Sequence, residues 1–266
     1  AALTHANLMA NVEESIAWVP VLHEGAEVFY CILPLFHAFG FTIGFLAGLR
    51  LGATIAMFPK FDTALVLAAQ RRLPCTFFLG VPPMYERLLK AAEGTNADLS
   101  SIHFSLSGAM PLSASLADQW EHATGGLMIE GYGMTETSPL ISVNHMDTKA
   151  YNGTIGYPIS GTDVSLRDDD GKLVPLGEPG EMWVRGPQVM KGYWRHEDET
   201  RRAMQDGWLK TGDIAQMQPD GALKIVDRKK DMILVSGFNV YPSEVEAVLA
   251  QHPAVLEVAC IGVPSE

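Results

Sequence analysis

Cysteine is scarce: the chain has three, Cys31, Cys75 and Cys260, odd in number and far apart. No CxxC pair exists to hold zinc and no disulfide framework can be drawn, so a reducing, cytoplasmic compartment is expected. Basic residues are also few. Nineteen Lys and Arg against 31 Asp and Glu leave a net charge of −12, which excludes bulk binding to nucleic acid because that needs a basic face. The opening residues AALTHANLMANVEE lack a basic segment, a long apolar run and a clear cleavage site, so they do not read as a signal peptide. A Walker loop ending in GK[ST], a GxGxxG fingerprint, a GxSxG elbow and an HExxH helix are all missing, which removes the enzyme classes those motifs carry.

What is present is a globular composition. Across 266 residues, 47% are hydrophobic and 19% charged, outside the disordered range and enough for one large domain or two of ordinary size. Residues 28–49 carry no formal charge and contain Gly40, Gly44 and Gly48, long enough to span a bilayer with GxxxG spacing. Pro34 and His37 interrupt that stretch, and β-branched and aromatic residues precede the glycines. The order therefore reads as a buried strand, a turn, and a small-residue helix face packed on a sheet.

The spacing of Leu8, Val12 and Ile16 predicts a helix over 3–18 with Thr4 as N-cap. Short apolar runs at 28–35, 53–58, 75–80, 102–108 and 127–133, with helical spacing at 63–72, predict α/β architecture: a mostly parallel sheet with flanking helices. Near residue 150 the pattern changes to short strands broken by NG, DG and PG turns, which predicts a small antiparallel, barrel-like unit over 151–229. Asp168 to Gly171 matches half of a calcium loop but lacks its terminal Glu, so a hairpin turn is expected. The last unit, 230–266, has a charge cluster, a helix that Ser243 can cap with Glu246 three residues on, and a terminal strand AVLEVACIGVP. One helix and one strand are too little to bury a core, so the chain reads as ending inside an α+β domain.

Three clusters carry chemistry. Gly131-Tyr132-Gly133-Met134-Thr135-Glu136-Thr137 follows a strand, where ligands bind in α/β sheets; a hydroxyl beside a carboxylate suits a phosphate and its Mg²⁺. Ser107-Gly108-Ala109-Met110-Pro111 ends another strand with small residues that let a flat ring approach backbone, or forms a tight turn. Thr211-Gly212-Asp213 with Asp227-Arg228 offers a carboxylate for ribose hydroxyls and a guanidinium for phosphate or sugar oxygen, or alternatively a hairpin and a surface ion pair.

The ordered segments LPLFHAFG, SLSGAMPL, EGYGMTE, TIGYPI, GEMWVRGPQVMKGYW, GWLKTGDIA and IVDRKKDMILVSGFNVYPSEVE resemble the adenylate-forming superfamily of acyl-CoA synthetases, luciferases and peptide-synthetase adenylation domains, nearest to long-chain fatty-acid–CoA ligases. The resemblance runs along the whole chain. It implies that an acid and ATP give acyl-AMP and pyrophosphate, and that coenzyme A then displaces AMP, with Mg²⁺ as cofactor. Residues 1–150 would then belong to the large N-terminal domain with the acyl and nucleotide sites. Gly108 and Ala109, with Gly131, would line the adenine, Tyr132 would stack on it, Thr135 would meet the phosphate and Glu136 would bind Mg²⁺. Asp213 would clamp the ribose and Arg228 support it. His37 would lie between nucleotide and acyl sites, though beside Phe36 and Phe39 it also reads as a core histidine. Phe41 is either a gate to the acyl tunnel or packing. Lys230 would be the hinge of the small domain, and Ser236-Gly237-Phe238 the loop that shapes the pantetheine channel.

The same resemblance implies a Ser/Thr/Gly-rich phosphate loop ahead of Thr4-His5-Ala6-Asn7 and a catalytic lysine beyond Glu266. The expectation is thus an internal fragment of a ligase, inactive alone. Alternatives are a ligase for a medium-chain or aryl acid and a non-catalytic nucleotide- or acyl-binding relative. Peripheral contact of the full-length protein with the inner face of the membrane fits a substrate that partitions into lipid. Oligomeric state is not specified by the sequence.

Overall fold

A computed structural model describes residues 1–146, 153–235, 238–252, 254–255 and 257–263, without the side chain of Phe238. Helix α1 (His5–Trp18) begins at Thr4 as expected. The Thr4 Oγ1 accepts the Asn7 N–H at 3.2 Å and Asn7 Oδ1 accepts the Thr4 N–H at 2.9 Å, so two orphan donors of the first turn are satisfied reciprocally.

The stretch 28–49 folds as a strand and a helix face. Strand β1 (Val28–Cys31) enters the sheet, and after an irregular turn a π-helix (Phe39–Leu46) runs on into α2 (Ala47–Arg50). The glycine stripe is what lets it lie close. A Cβ at Gly40 would fall 2.7 Å from the Pro34 carbonyl oxygen, at Gly44 3.3 Å from Cys31 Sγ, and at Gly48 3.0 Å from Ile55 Cδ1. Among the described residues no helix is long and apolar enough to cross a membrane.

The sheet continues through β2 (Thr54–Met57), β3 (Phe77–Gly80), β4 (Phe104–Ser107), β5 (Leu127–Gly133), β6 (Leu140–Val143) and β7 (Tyr157–Pro158), in spatial order β2-β1-β3-β4-β5-β6-β7. The first five are mutually parallel and the last two antiparallel. Both faces are covered, which is why the strands are near-continuously apolar. Tyr30, Phe78 and Met128 point to one core with Trp120, under α3 (Thr63–Gln70), α4 (Pro82–Thr95) and α5 (Ala114–Thr124). Their neighbours Phe29, Phe77 and Ile129 point to the other, with Phe39 and Ile43 of the π-helix. This is the period-2 alternation of a strand, with hydrophobic residues on both sides.

A second sheet is antiparallel: β8 (Asp163–Arg167), β9 (Gly180–Arg185), the two-residue β10 (Met204–Gln205) after α6 (Glu197–Ala203), β11 (Trp208–Met217) and β12 (Leu223–Arg228), ordered β10-β11-β9-β8 with β12 on β11. Asp168 is a turn residue, as expected: its Oδ1 accepts the Lys172 N–H at 2.9 Å. A hairpin, β13 (Ile233–Val235) and β14 (Phe238–Val240), and α7 (Pro242–Leu249) follow.

Two expectations for the last segment are corrected. Ser243 does not cap α7. Pro242 occupies the first turn, where its missing N–H costs nothing, and the Ser243 N–H donates 3.0 Å to Asp227 Oδ2 from the end of β12. Glu246, the expected box partner, instead accepts the Cys260 N–H at 2.7 Å. The run 254–263 is irregular where described, with Ile261 and Val263 exposed; Gly262 lies against Ile233 of β13, and the run forms no ladder with it.

Candidate functional site

The parallel strands β3 and β4 end level with Glu130 of β5, which runs on to Gly133, and this carboxyl edge is the rim where an α/β sheet receives ligands. At the end of β4 the chain turns through Gly108 and Ala109. A Cβ on Gly108 would sit 3.0 Å from Phe39 Cζ and 3.2 Å from the Gly131 carbonyl oxygen, so the two strand ends meet backbone to backbone. Ala109 holds φ of 65°, a left-handed conformation unusual for a residue with a side chain, and is exposed at the rim with Met110. Underneath, Glu130 is buried. Its Oε1 accepts the Leu112 N–H at 3.3 Å, and burial pushes its carboxyl up to about 7.

Tyr132 reaches from β5 into the antiparallel unit, where its hydroxyl donates a short hydrogen bond to Asp213 Oδ2 on β11. Asp213 is held from behind by its own N–H, which donates to Thr211 Oγ1 at 3.1 Å, and stands opposite Arg228 on β12. Burial raises the Asp213 carboxyl, while the Tyr132 hydroxyl and the Arg228 and Lys230 charges pull it back. Burial, then the Asp213 charge, drives the Tyr132 phenol well above its ordinary range, so it stays a donor. Lys230 and Arg228 are exposed. Lys229 between them turns away, to Glu181 at 3.0 Å and Asp169 at 2.8 Å. The structure therefore separates adjacent cations that look alike in the sequence.

Thr135 and Glu136 form a short 3₁₀ turn over Thr135–Thr137 that leaves the Thr135 side chain exposed. The Glu136 Oε1 accepts the Tyr193 hydroxyl at 2.9 Å, and its carbonyl accepts the Met190 N–H at 2.8 Å. Burial, and then this carboxylate, raise the Tyr193 phenol to about 12. Among the described residues no group of three or more His, Cys, Asp or Glu could hold a metal ion unaided. Mg²⁺ keeps waters and takes one or two carboxylates plus substrate phosphate oxygens, so a single hard carboxylate beside a threonine hydroxyl fits it.

The other expected residues stand apart. His37 is exposed on the turn before the π-helix, which corrects the core-histidine reading; its Nδ1 accepts the Phe39 N–H at 3.2 Å. Phe41, on the π-helix, is half-buried and stacks on Phe45 with ring centroids 6.2 Å apart. π-Helical turns concentrate at functional sites. Ser236 and Gly237 lie outside the described residues. Sequence reasoning gave no role to Glu130 or Tyr193. Tyr193 is 57 residues from Glu136, and no local pattern links them.

The family described as AMP-binding enzyme matches residues 1–194. A long-chain-fatty-acid–CoA ligase of Yersinia pestis is 49% identical over 269 residues, covering 100% of this chain and 48% of that protein. A feruloyl-CoA synthase of Amycolatopsis is 39% identical, covering 99% of this chain and 53% of that protein. Among solved structures, o-succinylbenzoate coenzyme A synthetase from Bacillus subtilis in complex with ATP and magnesium ion superposes with a TM-score of 0.87 at 31% identity, covering 99% of this chain and 54% of that one. The chain spans about half the length of the curated relatives it matches.

Proposed function

The chain belongs to the AMP-binding enzyme family, and from that premise we propose that it forms the adenosine side of an AMP-forming acyl-CoA ligase whose acid is a long-chain fatty acid. The observation that carries the nucleotide reading is the joint placement of Tyr132, Asp213 and Arg228 beside the Gly108 and Gly131 strand ends. Gly108 and Ala109 would border adenine and Tyr132 would stack on it. A carboxylate oxygen has two lone pairs, so Asp213 can keep the Tyr132 hydroxyl and still accept from ribose. Arg228 would supply a donor to sugar or phosphate oxygen. Thr135 would donate to the α-phosphate and Glu136 would hold Mg²⁺, which when bound offsets phosphate charge. Catalysis in such a site is positioning and charge stabilisation while the acid displaces pyrophosphate and coenzyme A then displaces AMP.

His37 and Phe41 would border the acyl side, Lys230 would be the pivot of the small domain, and Gly237 would line the pantetheine channel. The long-chain assignment is supported by the 49% identity to the Yersinia ligase against 39% to the feruloyl enzyme.

Calorimetric titration with a non-hydrolysable oleoyl-adenylate mimic, a feruloyl-adenylate mimic and AMP tests the proposal. Each buried methylene adds about 0.8 kcal/mol, so the oleoyl mimic is expected to bind at least about ten-fold tighter than AMP. A feruloyl mimic that outbinds it would assign an aryl acid instead. Equal affinity for all three would remove the acyl site from this half of the protein.

A further inference from the structure

The Thr135–Thr137 turn is braced from outside its own segment. Residues 188–193, which follow β9, make two hydrogen bonds to it and one to its C-cap, Ser138. The Met190 N–H donates to the Glu136 carbonyl at 2.8 Å, Ser138 Oγ donates to the Gln188 carbonyl at 2.8 Å, and the Tyr193 hydroxyl donates to Glu136 Oε1 at 2.9 Å. The first joins backbone to backbone, and the second holds the Ser138 side chain to the loop. The third fixes a side chain, and it is the side chain whose chemistry matters.

Tyr193 is itself held. Its N–H donates to Thr200 Oγ1 at 2.8 Å, and the Thr200 hydroxyl donates to the His196 carbonyl at 2.9 Å, tying it to α6. On the other side, the Ala2 N–H donates to the Gly192 carbonyl at 2.7 Å and the Lys191 N–H to the Ala2 carbonyl at 3.1 Å. A Cβ on Gly192 would fall 2.6 Å from Thr200 Cγ2, so this loop packs against α6 without slack. A phenol reaching a carboxylate from such a braced loop is a fixed donor. Among the described residues it is also the side chain that hydrogen-bonds the Glu136 carboxylate.

Resting on the reading of Glu136 as the carboxylate that meets Mg²⁺, we infer that Tyr193 is its positioning residue. The hydroxyl occupies Oε1, limits the rotamers of a long, half-buried side chain, and leaves Oε2 for the cation. Ligating carboxylates are ordinarily oriented by such outer partners. A purely structural staple between loop and turn would instead affect folding alone.

The test uses the full-length protein with Mn²⁺ as probe and a non-hydrolysable ATP analogue. Free Mn²⁺ is read by electron paramagnetic resonance, and analogue affinity is measured separately without divalent cation. Glu136→Gln is expected to lose Mn²⁺ binding. Tyr193→Phe is expected to melt normally, to bind the analogue alone as wild type does, and to weaken Mn²⁺ about ten-fold, as loss of an outer partner does. Normal Mn²⁺ affinity in Tyr193→Phe, with loss in Glu136→Gln, would overturn the positioning role while leaving Glu136 as the ligand. Normal affinity in Glu136→Gln would remove the reading on which the inference rests. Should Tyr193→Phe not fold, Thr200→Val releases Tyr193 one step further out. A weakened Mn²⁺ site in that variant supports the inference, and an unchanged one overturns it.

Discussion

The Tyr132 hydroxyl on β5 donates to the Asp213 carboxylate on β11, 81 residues away in sequence, and this bond joins the parallel sheet to the antiparallel one at the rim of the site. A hydrogen bond to a charged group contributes about 1.5–3 kcal/mol, so Tyr132→Phe is expected to lower unfolding free energy by an amount in that range. It should also move a titration. The phenol favours the ionised form of Asp213, so its loss raises that carboxyl further above its ordinary range. The acid limb of nucleotide affinity should therefore shift to higher pH, which binding measured from pH 5 to 8 would detect.

Glu130 makes a second pH-dependent contribution. Its carboxyl is raised from 4.5 to about 7 in the folded protein by burial. Between those values the native state retains a proton that the unfolded chain releases, so stability falls as pH rises through the window and levels off above it. At about 1.4 kcal/mol per unit the loss is about 3 kcal/mol. Glu130→Gln keeps an acceptor for the Leu112 N–H and has no proton to lose. Urea unfolding at pH 5 and pH 8 should show a smaller decline for the variant than for wild type; equal declines would contradict the assignment.

The two glycines that bracket Tyr132 should respond differently to a methyl group. At Gly133 a Cβ would lie 2.1 Å from the Pro139 carbonyl oxygen and 3.0 Å from Leu140 Cα, backbone atoms at the start of the paired strand and just before it. At Gly131 the nearest atoms are side-chain ends, Leu106 Cδ1 at 3.2 Å and Leu140 Cδ2 at 3.4 Å. Overpacking costs about 1–3 kcal/mol, and Gly133→Ala should fall at or beyond the upper end while Gly131→Ala falls at the lower. Denaturation midpoints measure the difference.

The parallel strands β1, β3, β4 and β5 were legible because burial on both faces makes each a short apolar run, the edge strand β2 because it too is a short apolar run, and α1 because Leu8, Val12 and Ile16 recur at helical spacing after Thr4. The glycine spacing at 40, 44 and 48 announced close packing, although nothing in it specified a π-helix. Strands of two residues, β7 and β10, carry no periodicity to read. The start of α7 was misread because its donor is satisfied by Asp227, sixteen residues upstream, where a local capping pattern suggested Ser243. The site divides the same way. Motif residues such as Tyr132, Thr135 and Asp213 stand out in the chain, whereas Tyr193 and Glu130 matter through contacts that only folding creates.

The adenosine site proposed above is anchored on Asp213. Calorimetric titration of AMP into wild type and Asp213→Asn tests it directly. The substitution keeps the side chain's size and removes the charge proposed to accept ribose hydroxyls. Loss of charged hydrogen bonds, about 1.5–3 kcal/mol, should weaken AMP about 10- to 100-fold, given a factor of ten for about 1.4 kcal/mol. Unchanged AMP affinity in Asp213→Asn would contradict the site.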